Sequence, residues 1–389
     1  MVETMLTNNC KTIDSRLSEL DWLRVILILA VFLHHVCMPF NGDSWHIMNN
    51  DSSKILDDIM VYFEQFRLPI LFFISGVGSV ILLSKITVKK FVFDKFLRLF
   101  IPLLAGSLLV IPPQTYIENI VELQSYWQEY PKLALKFETN HLWFIEYLLV
   151  FFLLAIPLNK FFSSSLGATV VNLVQKLSRY KIGLYLLVIL LIVIKVCFSL
   201  IFSSDDNKIE NLSSSSFYLF FFIAGMVFIH NKGIWQAVGE QRFYNLMLLF
   251  FSTILFYAYY YSPDLSEYLS LDMRWSIWWI VCCLVAWSAL LTLLGYAQFY
   301  LTKTPKWLRL SNELIYPFYI FHQTVIVVIG YYVITWQVPL WMKIISLFVL
   351  SFSITSVICW FIIKPSNTLR FLFGLKPLNK VESMAYQAN

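Results

Sequence analysis

Two side chains define the chemistry to look for. The apolar run from Leu20 to Phe40 is interrupted by an arginine at 24 and a histidine at 35. On a helix, their 11-residue separation leaves them about 20° apart around the axis and about 16 Å apart along it. A fixed cation then stands near one mouth of a bilayer, with an imidazole on the same face about halfway across a ~30 Å hydrocarbon core. Ionisable groups at that depth are costly and normally face a cavity or a partner, so they mark a functional site. A neutral imidazole nitrogen beside a hydroxyl can remove its proton; the alternative is a helix-packing histidine bonded to a neighbour. His34 points about 80° away from the Arg24 face and is the weaker candidate.

Further candidates lie in later apolar runs. Glu64 and Arg67 are three residues apart and can pair on one helix face. Arg67 either meets an oxyanion or orients a substrate, or the pair holds two helices in register. His322 falls about as deep as His35, as a second polar wall of one cavity or as a packing residue. The fourth run opens His141-Leu-Trp143-Phe-Ile-Glu146, where a lone intramembrane carboxylate is either protonated or paired. Glu64, His141, Trp143 and Glu146 are the candidates for substrate contact. Lys95 and Arg98 share a helix face, as part of an ordinary basic loop or as a phosphate cradle. Lys195 and Lys343 are expected to snorkel toward the interface.

The elements that must position these groups are membrane spans. Of 389 residues, 59% are apolar and 14% are charged, more apolar surface than a soluble chain of this length can hide. Ten spans are expected, near 21–40, 61–83, 97–116, 141–158, 183–203, 213–230, 243–261, 275–300, 312–334 and 340–363. Twenty of the 29 lysines and arginines fall on the side of the N-terminus and five in the opposite loops, so both termini are expected in the cytoplasm. The reading is an all-α, polytopic helical bundle: a tail over 1–19, a membrane domain over 20–363 and a second tail over 364–389. The first run ends in Pro39-Phe40-Asn41 without a small-residue cleavage site and reads as an uncleaved span. The loops 41–60, 117–140 and 204–212 are too short for separate domains. The formal charge of +5 comes without a basic block, so nucleic acid is not an expected partner. The six cysteines show no metal or disulfide spacing and read as small packing residues. No glycine-rich nucleotide loop, Gly-x-Ser-x-Gly elbow or His-Glu-x-x-His pair is present. His46 and Asp51 match a His-x4-Asp spacing by chance, in a polar loop without the rest of such a site.

Arg24-x10-His35, Phe66-Arg-Leu-Pro-Ile-Leu-Phe-Phe-Ile-Ser-Gly76, Lys95-x-x-Arg98 and His141-Leu-Trp-Phe144 together resemble segments of the acyltransferase-3 family. The likeness runs from about residue 16 to 376 and is strongest to its glucan-biosynthesis branch, the periplasmic glucan succinyltransferases, at Trp45-His-Ile47, around His322 and at Phe371–Pro377. The resemblance implies a bacterial inner-membrane O-acyltransferase. Such an enzyme moves a succinyl or acetyl group from cytoplasmic acyl-coenzyme A to a hydroxyl of an exported carbohydrate, without a metal. It implies His35 as the catalytic histidine and Arg24 in the donor pocket. Arg67 and His322 would meet developing charge, and Lys95 and Arg98 would hold the donor's phosphates. The family's Arg-x-x-Arg appears here as Lys95-x-x-Arg98, which keeps the charge and loses one planar fork. The competing expectation is a transporter or flippase for a lipid-linked or anionic metabolite, since buried charges also line translocation paths.

Overall fold

The computed structural model describes residues 17–202 and 208–378. Most of the expected N-terminal tail, the end of the C-terminal tail and part of the 204–212 loop lie outside the described residues. In chain order the helices are α1 Ser18–Cys37, α2 Lys54–Leu83, α3 Val88–Ala105, α4 Ile111–Glu118, α5 Tyr126–Leu135, α6 Trp143–Phe162, α7 Ser165–Ser178, α8 Leu187–Ile201, α9 Leu212–His230, α10 Lys232–Glu240, α11 Arg242–Tyr260, α12 Leu271–Tyr300, α13 Lys306–Val333, α14 Leu340–Val357 and α15 Asn367–Leu372. A π-helical turn at Gly106–Val110 joins α3 to α4, another at Ile358–Ile363 extends α14, and no strand occurs among the described residues. Among the described residues, ten segments are long and apolar enough to cross a membrane. Only helices satisfy their own backbone groups in lipid, which explains the architecture. Exposed apolar rows such as Ile189, Leu190 and Val193 on α8, or Phe250, Phe251 and Ile254 on α11, then face hydrocarbon.

Hydropathy misplaces some edges. α2 starts at Lys54, before its apolar run, because Lys54 bonds Asp57 at 2.8 Å and Asp58 at 2.9 Å within the first turns. The expected loop 117–140 contains helix α5, whose Leu133 and Ala134 are buried. Pro112 has no N–H for the Leu108 carbonyl, and the α5 hydroxyl of Tyr130 donates to that carbonyl at 3.1 Å. The two lysines expected to snorkel do not. Lys195 is buried against Ser213 Oγ, 3.0 Å away, with its ammonium 3.7 Å from the Trp279 ring centroid. Lys343 is buried and donates to Asn49 Oδ1 at 2.7 Å and to the Ile334 carbonyl at 2.8 Å. Of the described cysteines, Cys37, Cys282, Cys283 and Cys359 are buried as expected, and Cys197 is exposed.

The described residues form two compact units, each assembled from discontinuous stretches: 17–27, 64–92, 150–202 and 208–305 in the first, and 28–63, 93–149 and 306–378 in the second. The core of the first unit centres on Trp287, fully buried, whose indole N–H donates to the Leu184 carbonyl at 3.0 Å. Phe220, Phe221 and Phe228 of α9 surround that ring. There α2 and α9 touch backbone to backbone through two glycines. A Cβ on Gly76 would stand 2.0 Å from the Phe222 carbonyl oxygen, and one on Gly225 would stand 2.1 Å from that of Phe73. Small residues permit such close approach between membrane helices. Gly225→Val is therefore expected to cost more than about 3 kcal/mol. Thermal unfolding of the detergent-purified protein checks this, with Gly78→Ala as a neutral control, since nothing lies within 4 Å of a Cβ there.

Candidate active site

The second unit gathers three of the six histidines of the chain around one point. His35 lies near the C-terminal end of α1, where Pro39 and a short 3-10 turn stop the helix. His322 lies in the middle of α13 and is 1% exposed. His141 sits in the turn that starts α6. His35 Nδ1 and His322 Nε2 are 2.8 Å apart, across 287 residues of chain. The His141 ring stands edge-on to His322, with centroids 5.2 Å apart.

Backbone carbonyls fix which nitrogen carries each proton. A carbonyl only accepts, so His322 Nδ1 donates to the Tyr319 carbonyl at 2.5 Å. In the neutral ring His322 Nε2 is then the acceptor, and His35 Nδ1 donates to it. The lone pair of His35 therefore resides on Nε2. By the same reasoning His141 Nε2 donates to the Ile320 carbonyl at 3.0 Å, and its lone pair is on Nδ1, which is buried with no hydrogen-bond partner. The Tyr319 hydroxyl donates in return to the His141 carbonyl. This reciprocal pair locks the start of α6 to α13 at the level of the histidines. Phe32 and Phe318 pack beside His322, with centroids 6.3 and 6.4 Å away, giving the pair an apolar back wall. Trp45, from the loop after α1, lies nearly parallel to His35 with centroids 6.2 Å apart. An imidazole held by one nitrogen with its other nitrogen carrying the lone pair is equipped as a base or a nucleophile.

The other sequence candidates are distributed differently. Arg24 stands on the same helix as His35, in the stretch that belongs to the first unit, 3.4 Å from Asp21. Arg67 and Glu64 also belong to the first unit. Arg67 is buried, senses Glu64 and Tyr218 electrostatically, and its Nε and Nη1 have no hydrogen-bond partner. Lys95 and Arg98 lie in the second unit on α3, Lys95 half-buried and Arg98 exposed. Glu146 is half-buried, hydrogen-bonded to Thr139 and within electrostatic reach of Tyr319. Trp143 packs edge-on against Tyr147 at 5.3 Å. His141, expected to contact substrate, spends its Nε2 proton on the Ile320 carbonyl. Among the described residues no three His, Cys, Asp or Glu side chains converge as a metal site. Sequence reasoning missed Tyr319, Gln114, Gln323, Thr324 and Glu118, which are ordinary polar residues in helices, and no spacing distinguishes them.

The sequence matches an acyltransferase domain over residues 17–363, and the chain belongs to the acyltransferase-3 family. It is also similar to the glucans biosynthesis protein C of Escherichia coli. In strain K12 the identity is 29% over 139 residues, covering 34% of this chain and 36% of the relative. In strain O1:K1 / APEC it is 25% over 253 residues, covering 61% and 65%, and in strain O139:H28 it is 26% over 235 residues, covering 56% and 60%. The matches thus span between about a third and two thirds of the length of these relatives. No solved structure matches the chain.

Proposed function

We propose that this protein is a membrane O-acyltransferase that takes a succinyl or acetyl group from cytoplasmic acyl-coenzyme A and places it on a hydroxyl of an exported carbohydrate such as a periplasmic glucan. Family membership supports the reaction class, and the name of the E. coli relatives supports the carbohydrate. The observation that carries the reading is the 2.8 Å bond from His35 to His322, which directs the His35 lone pair to Nε2. That nitrogen either removes the acceptor's proton or takes the acyl group itself. Its Nδ1–H remains bonded to His322 throughout, so positive charge that develops on the ring is shared with a second imidazole. Lys95 and Arg98, three residues apart on α3, supply charge for the donor's phosphates. Arg24 as a donor-pocket residue, Arg67 as an anion stabiliser and Glu64, Trp143 and Glu146 as acceptor contacts are parts of the same proposal. The excess of lysine and arginine on the side of the N-terminus supports an inner-membrane orientation with both termini cytoplasmic.

Two measurements test it. Coenzyme A is expected to stabilise the purified protein against heat, by ~2.7 kcal/mol at a hundredfold excess over its Kd. Replacing Lys95 and Arg98 together by Ala should remove that shift. In nanodiscs, the protein should release coenzyme A thiol from succinyl- or acetyl-coenzyme A while short glucose oligosaccharides gain the acyl mass. Protein that moves an anionic metabolite across a vesicle wall and never consumes acyl-coenzyme A would instead be a transporter.

A further inference from the structure

A fourth histidine stands in the same unit and the reaction above leaves it unused. His46 lies in the loop between α1 and α2, next to Trp45. Its Nδ1 is 2.8 Å from Glu118 Oε2, at the end of α4, and its Nε2 is 3.0 Å from Gln323 Nε2.

The direction of every bond in this network follows from one carbonyl. The Val110 carbonyl only accepts, so the Thr324 hydroxyl donates to it at 2.7 Å. Thr324 Oγ1 then accepts from Gln114 Nε2 at 3.0 Å. Gln114 thus turns Oε1 toward Gln323, which must offer Nε2, at 3.1 Å. The second N–H of that amide reaches His46 Nε2, which must carry the lone pair. Nδ1 therefore carries the proton and donates to the Glu118 carboxylate.

A carboxylate that holds an imidazole by one nitrogen and leaves the lone pair on the other is the arrangement of a general base and its orienter. Glu118 also stabilises the imidazolium that forms. Gln323 presents a donor to Nε2, so that nitrogen is an acceptor here, and Gln323 must yield when a hydroxyl arrives. The pair sits at an accessible rim, with side chains 14% and 44% exposed for His46 and Glu118. It also shares surroundings with the first histidine pair. The Trp45 ring lies 5.0 Å from His46 and 6.2 Å from His35, and Gln323 directly follows His322.

We infer that His46 is a second catalytic base, serving the acceptor hydroxyl, with Glu118 as its positioning residue and Trp45 as the flat surface against which an acceptor ring packs. The inference rests on the acyltransfer reading and divides that reaction into two steps. His35 Nε2 attacks the thioester carbonyl, an N–C bond forms, the C–S bond breaks and coenzyme A leaves as the thiolate. The acceptor oxygen then attacks the acyl-imidazolium while its proton passes to His46 Nε2. An O–C bond forms, the N–C bond breaks and the electron pair returns to His35. The proton on His46 finally balances the thiolate through solvent.

The test uses the full chain in nanodiscs with succinyl- or acetyl-coenzyme A and short glucose oligosaccharides. His46→Gln is expected to lower kcat for oligosaccharide acylation about 100-fold or more. The rapid first release of coenzyme A, one per protein, should persist. Glu118→Gln, which keeps an oxygen acceptor, should lower kcat about tenfold with KM little changed, and Glu118→Asp should recover part of it. Full kcat in folded His46→Gln overturns the inference, and so does loss of the first coenzyme A release in that variant, because His46 would then not be confined to the acceptor step. A wild-type chain that never consumes acyl-coenzyme A removes the acyltransfer reading and this inference with it, whereas an active wild type with an indifferent His46 removes only the latter.

Discussion

His35→Gln is expected to leave a folded protein that is still stabilised by coenzyme A and transfers acyl groups at least about 1,000-fold more slowly. Gln fills a similar volume and can offer an N–H toward His322 Nε2, so the bond that anchors position 35 has a substitute. It has no nitrogen lone pair able to accept a proton or an acyl group at neutral pH. The loss should therefore appear in kcat, and the first release of coenzyme A should disappear along with oligosaccharide acylation. This pattern separates His35 from His46, whose replacement should spare the first release. Transfer at the wild-type rate in His35→Gln would remove the assignment of the reacting nitrogen.

His322→Phe should have the second largest effect, a fall of about 100- to 1,000-fold in kcat with the KM for the donor little changed. His322 acts through His35. It accepts the Nδ1 proton at 2.8 Å, and its own proton is committed to the Tyr319 carbonyl. Without that acceptor the His35 ring loses the contact that places its lone pair on Nε2, and the tautomer with the proton on Nε2 becomes available. Phe suits the site sterically, because Phe32 and Phe318 already line it. His322→Gln turns an amide oxygen toward His35 and should recover a substantial part of the rate. A fold defect would instead lower the yield of folded protein for both variants alike, and recovery by Gln is the readout that a purely structural role would not produce. Kinetics of the folded fraction, normalised to the coenzyme A-binding protein, checks both.

Much of this protein is determined by local pattern. Long apolar runs with no other way to satisfy their backbone groups specify, among the described residues, ten helices long and apolar enough to cross a membrane. The 3.6-residue repeat places Arg24 and His35 on one face of α1 before any partner is known. Depth counting likewise puts His322 level with His35. The segments around Arg24-x10-His35, Ile74-Ser-Gly76 and His141-Leu-Trp-Phe144 indicate the family, and the 17–363 match establishes it. Gly76 is legible as a motif position, while its physical reason, a backbone contact with Phe222, is not.

What only the tertiary structure decides is pairing and the direction of hydrogen bonds. His35 meets His322 across 287 residues and His46 meets Glu118 across 72, and no periodicity connects partners so far apart. His46 has a carboxylate five residues on, at Asp51, yet the one it bonds is on α4. The sequence offers Arg67 as a partner to the same chemistry, and in the folded chain it belongs to the other compact unit. The tautomer of His322 is set within α13 by the Tyr319 carbonyl three residues back, whereas those of His35, His141 and His46 depend on partners that only folding brings to them from distant parts of the chain. Hydropathy is a property of neighbours along the chain, whereas a lone pair's direction depends on groups that folding alone brings within 3 Å of it.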